Sequence, residues 1–178
     1  MSKELFLCVT GFFALLGLSY GIEQFGDLSD PLKSLYIWSG WLSFSALILG
    51  LFAGAWGRFL GLCALVLGLW HLSLFVIFDF YFEWGLMWKE ILQKHYLYYG
   101  IAALVLMIIL GICSFLGTFW RFLLCFVLCC AIFSLVHIVM IQKVLSAFYW
   151  LVVLCASAAL GYKAFCKLRN LRNGFFKF

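Results

Sequence analysis

Charge is scarce in this chain. Its 178 residues hold only twelve Lys and Arg and seven Asp and Glu. A soluble domain carries about a quarter of its residues as charges, so this composition excludes an ordinary water-facing fold. Proline is almost absent, with Pro31 alone, which leaves long helices uninterrupted. No Cys-x-x-Cys pair occurs, nor a Cys-x-x-Cys-His, which removes the usual signatures of zinc knuckles, dithiol redox centres and covalent c-type haem. The acidic residues stand outside the apolar stretches or, like Asp79, at the outer end of one, so the carboxylates that a buried proton relay needs are missing.

What remains is apolar. Hydrophobic residues make up 67% of the chain, and they gather into six runs, at about 5–22, 35–56, 59–82, 96–117, 119–142 and 145–166. Runs of roughly 20 apolar residues match the thickness of a bilayer as helices. Backbone facing lipid must satisfy its own hydrogen bonds. The expected fold is therefore all-α: a polytopic membrane bundle of six transmembrane helices, forming one domain over 1–178 with a basic tail at 167–178. Lys3 before the first run resembles a signal sequence, but that run is longer than a usual signal core. It also lacks a small-x-small cleavage site before Gln24 and reads as an uncleaved helix. No internal repeat is evident.

Charge sets the orientation. With six alternating helices, Lys3, Arg58, Arg121, Lys163, Lys167, Arg169, Arg172 and Lys177 share one side, while Lys33, Lys89, Lys94 and Lys143 share the other. Basic residues accumulate on the cytoplasmic side, so both termini are expected there. The net charge of +5 then reflects topology and calls for no nucleic-acid partner. The tail KAFCKLRNLRNGFFKF alternates cations with aromatics, as a segment lying on an anionic leaflet would.

Two connections are long. The segment FEWGLMWKEILQKHY places Trp84, Leu86 and Trp88 beside charges and is expected to lie along the membrane surface. Trp56, Trp84, Trp88 and Trp120 mark segment ends as an aromatic belt does, whereas Trp70 is deeper and reads as packing. The cysteines fall mostly within apolar runs and read as small hydrophobes.

Three histidines remain: His71, His95 and His137. An ionisable residue within a membrane helix is a functional candidate. His71 lies 13 residues past Arg58, and His137 lies 16 past Arg121. At 1.5 Å per residue both stand about 20–24 Å from the same side. Two imidazoles at one depth on separate helices suit the axial positions of a b-type haem. A hydrogen-bonded packing role for each is the competing reading. Zinc would want more ligands than this depth offers.

At these residues the chain resembles the MsrQ (YedZ) family of the ferric-reductase-like transmembrane group. The likeness rests on Asp30-Pro31 followed by Ser39-Gly40, on Arg58 through Gly61-Leu62 to His71, and on KEILQKHYLYYG from Lys89 to Gly100. Cys113-Ser114, Trp120 and the pair His137 and Lys143 complete it. The resemblance implies a haem-binding subunit of the bacterial inner membrane that accepts electrons from membrane quinol or a flavin reductase, with FMN carried by some members. Its partner would be a periplasmic molybdenum-containing methionine sulfoxide reductase. His71 and His137 would be the metal ligands of one haem b. Leu124 stands where the family has a further histidine, so a second haem would need an unusual ligand. Ser73, Ser134 and Tyr81 are candidate neighbours of the ligands. Arg58 and Arg121 could meet a propionate, a flavin phosphate or a quinone headgroup, or simply lipid phosphate. Asp79, Glu83 and Glu90 could dock an outer partner. Two other functions stay open: metal reduction of the ferric-reductase kind, and a haem-free membrane carrier or assembly protein.

Overall fold

The structure is a computed structural model, and it describes residues 31–53, 56–116, 120–141 and 147–175. The first expected helix, at 5–22, lies outside these residues. Among the described residues every regular element is helical: α1 (Pro31–Phe52), α2 (Gly57–Leu74, prolonged by a π-helical turn Phe75–Asp79), α3 (Trp84–Gln93), α4 (His95–Leu116), α5 (Trp120–Ile141) and α6 (Ala147–Phe175). Four helical segments among the described residues are long and apolar enough to cross a membrane: Pro31–Phe52, Gly57–Asp79, His95–Leu116 and Leu124–Ile141. The chain is thus a multi-pass membrane protein of helical architecture, with a bilayer as its solvent.

Pro31 opens α1, where a missing N–H costs nothing because the first helical donors have no partner. The helix starts four residues earlier than the hydropathy run suggested, since Leu32, Lys33 and Ser34 continue it beyond the apolar core. α1 runs from an upper end, at Pro31, to a lower end, at Phe52. α2 returns upward, α4 descends and α5 ascends again. α1 packs most extensively on α2, and α4 on α5, so the spanning core is two antiparallel hairpins joined across α2 and α4.

Lipid tails are as apolar as leucine, so helices in a bilayer associate through close packing and polar contacts rather than through water exclusion. Small residues serve that purpose. Gly50 and Gly57 bring the lower ends of α1 and α2 into backbone contact, where a methyl group on Gly57 would stand 2.7 Å from the Gly50 carbonyl oxygen. Ala64, Ala103, Cys130, Ala131 and Ala156 are fully or almost fully buried. The Ser43 hydroxyl donates to the Ala64 carbonyl at 2.8 Å, tying α1 to α2. The Cys130 thiol donates to the Ala103 carbonyl at 3.3 Å, tying α5 to α4. Cys129, its neighbour, is exposed, as the 100° step between successive helical residues requires. Arg58 donates to both the hydroxyl and the carbonyl of Ser114, joining the lower ends of α2 and α4.

At the upper end the π turn carries Asp79 around to α1, where the Tyr36 hydroxyl donates to its carboxylate at 3.0 Å. Tyr81 and Phe82 then take left-handed backbone angles, φ 47° and 66°, and the chain folds over into α3. That short helix buries only Ile91, while Trp84, Trp88 and Leu92 form one exposed row. Glu90 pairs with Lys94 one turn on and holds its ammonium pKa above the ordinary lysine value. The segment expected on the membrane surface is therefore a distinct helix, set between the upper ends of two spanning helices.

Candidate functional site

His71 and His137 stand on α2 and α5, one on each hairpin. Eight residues separate His71 from the upper end of α2 at Asp79, and four separate His137 from that of α5 at Ile141. At 1.5 Å per residue these are depths of about 12 and 6 Å, one helical turn apart. Each ring is half-buried.

Each imidazole is held by the partner helix of its own hairpin. His137 Nδ1 lies 2.7 Å from the Tyr96 carbonyl oxygen on α4. A carbonyl only accepts, so Nδ1 carries the proton and Nε2 keeps its lone pair. His71 Nδ1 lies 2.9 Å from the Ser39 hydroxyl on α1. That hydroxyl spends its own proton on the Leu35 carbonyl at 2.8 Å, with the Tyr36 carbonyl at 3.1 Å. With its proton placed there the hydroxyl would accept from Nδ1, which would give His71 the tautomer of His137. Tyr36 and Tyr96 also set their rings against the two imidazoles, with centroids 6.4 and 6.1 Å away.

Glycines make room for both rings. A Cβ on Gly100 would stand 2.7 Å from His137 Cε1, 2.8 Å from Nδ1 and 3.1 Å from Nε2. One on Gly40 would stand 3.4 Å from His71 Cε1. The first cradle is tight, and the second is at ordinary contact distance.

The other sequence candidates are not part of this cluster. His95 is exposed at the start of α4 and stacks on Tyr98. Ser73 donates to the Trp70 carbonyl of its own helix at 2.7 Å. Tyr81 is exposed in the upper turn, and Trp70 is 46% exposed on the outside of the bundle. Leu124 lines a cavity of about 220 Å³ in the lower half, together with Gly57, Gly61, Met107, Gly111 and Ser114. Arg58 is bound to Ser114 at its edge, and the side chain of Arg121 lies outside the described residues.

Sequence reasoning named the two histidines as ligands, whereas Ser39, Gly40, Tyr96 and Gly100 entered only as parts of the quoted motifs, without a role, and Tyr36 did not enter at all. Each set of contacts comes from one turn of helix opposite the histidine. Among the described residues no group of three or more His, Cys, Asp and Glu is placed to hold a metal ion. With Nδ1 engaged, each imidazole offers Nε2, a nitrogen donor of the kind that haem iron accepts when porphyrin supplies its other four nitrogens. An Nδ1–H bonded to an oxygen acceptor is also the usual companion of a metal-binding Nε2. Comparison with protein-family models, curated proteins and solved structures finds no match to this chain.

Proposed function

We propose that the chain is a haem b electron-transfer subunit of the bacterial inner membrane, with six spanning helices and both termini in the cytoplasm. It takes electrons from membrane quinol or a flavin reductase and delivers them to a periplasmic methionine sulfoxide reductase. One observation carries the haem assignment: two histidines on separate hairpins, each with Nδ1 tied to the partner helix and Nε2 left to bind. The direction of transfer, the donor and the acceptor rest on the resemblance described above.

When bound, the haem supplies a one-electron carrier. The protein holds His71 and His137 in the binding tautomer before the cofactor arrives, so little reorganisation accompanies ligation. Apolar helices exclude water around the site, and burial together with hydrogen bonds to the axial ligands tunes a haem potential. The upper position of the pair shortens the path to an outer acceptor, while the lower half holds no histidine to bind a second haem near Leu124.

The test is a dithionite-reduced minus oxidised spectrum of the purified protein, with stoichiometry from the pyridine haemochrome. One haem b per chain is expected, lost in His71→Ala and in His137→Ala and kept in His95→Ala. A colourless protein from haem-replete cells overturns the proposal.

A further inference from the structure

Two short stretches, Tyr36-Ile-Trp-Ser-Gly40 and Tyr96-Leu-Tyr-Tyr-Gly100, occupy matching places in the two hairpins. Each lies near the upper end of a descending helix, opposite a histidine on the ascending helix that follows. In each, a tyrosine ring approaches the imidazole edge-on or tilted, and the glycine one turn later lies beneath the ring. A helix brings residues i and i+4 onto one face, so tyrosine and glycine necessarily act on the same ring.

We propose that these two Tyr-x-x-x-Gly turns are imidazole seats, and that Gly100 and Ser39 are the positioning residues that present Nε2 of His137 and His71 to a bound cofactor. The proposal rests on the haem reading for its purpose, though not for its geometry. At Gly100 the missing Cβ lets the ring lie on the helix backbone and reach the Tyr96 carbonyl directly, at 2.7 Å. At Gly40 the Ser39 hydroxyl meets the ring at 2.9 Å, and the glycine contact is 3.4 Å. Both hairpins descend and then ascend, so the two seats face their histidines in the same sense along the bundle.

A third Tyr-x-x-x-Gly, Tyr81 to Gly85, shows what the pattern needs. It spans the upper turn, where Tyr81 has φ 47°, and a Cβ on Gly85 would meet nothing within 4 Å. Without a continuous helix and a facing histidine it seats nothing.

The experiment is nitrogen NMR of the full chain with ¹⁵N-labelled histidine in lipid nanodiscs, prepared from haem-deficient cells and compared with the haem-loaded protein by electron paramagnetic resonance. In the haem-free protein His71 and His137 should each show a protonated Nδ1 and a bare Nε2. Gly100→Ala should abolish that signature at His137 and leave His71 unchanged, while Gly40→Ala should leave both. Ser39→Ala should release His71 alone. In the loaded protein Gly100→Ala should lose the low-spin bis-imidazole signal. Should Gly100→Ala fail to fold, adding His137→Ala should restore folding, because the clash is with the ring. An Nε2-protonated tautomer in either histidine, an unmoved His137 in Gly100→Ala, or no rescue by the double variant would each overturn the seats. Expected tautomers in a chain that never binds haem would uphold the seats and refute the haem reading.

Discussion

At Gly57 the chain has no room for a methyl group, because the nearest atom is the backbone oxygen of Gly50 and backbone cannot rotate aside. Gly57→Ala should therefore destabilise the first hairpin by about 1–3 kcal/mol, the usual cost of overpacking. Gly61→Ala, whose new Cβ meets nothing within 4 Å, should be neutral or slightly stabilising, since alanine favours helix over glycine. Thermal unfolding of both variants in one detergent checks the pair, and equal losses would refute the close approach. The same logic separates the two seats, where a methyl group is excluded at Gly100 and tolerated at Gly40. Histidine was legible as a candidate because it is rare in this composition. The role of a glycine was not, because 16 of them, the motif residues Gly40 and Gly100 included, look alike until a neighbouring ring singles one out. The role of Ser39 was hidden for a different reason: serine in a membrane helix most often bonds to its own backbone, and it does so here while also bonding His71.

Among the elements, α2 and α3 depart most from simple membrane helices. The π turn at Phe75–Asp79 adds a residue to the upper end of α2, and Asp79 thereby reaches the Tyr36 hydroxyl. Such turns interrupt helical periodicity without any proline or glycine to announce them. Helix α3 was visible as an interfacial segment from its tryptophans, yet ten residues of helix were harder to foresee than a loop. Its exposed row of Trp84, Trp88 and Leu92 fits the headgroup level, where tryptophan's amphipathic ring is favoured. Fluorescence from these tryptophans should be quenched more by lipids spin-labelled near the headgroup than by lipids labelled at mid-chain. The contribution is isolated by subtracting a Trp84→Phe, Trp88→Phe variant. Equal quenching by both labels would place the helix elsewhere.

For the molecule as a whole, the proposed topology sets the electron path, because the histidine pair lies nearer the end that carries Asp79 and α3. Fusion of a cytoplasm-active reporter to the C-terminus should give signal, and a cysteine introduced at Gly85 should react with an impermeant thiol reagent added outside. The reverse pattern would invert the proposed relay and put the histidine pair on the cytoplasmic side. The sequence by itself determined the solvent and the class of element: with so little charge and such long apolar runs, only helices can satisfy the backbone in lipid. It also determined which residues were worth watching, since an ionisable side chain at membrane depth is costly and needs a partner. Only the tertiary structure decided that the spanning core is two like hairpins, and that each histidine is served by the helix before it. Those contacts join residues 32 to 41 positions apart, and hydropathy, which reads one segment at a time, contains nothing about which faces meet. In a bilayer that choice is made by small residues, by hydrogen bonds between helices and by the fit of a ring over a glycine, and all three are properties of pairs.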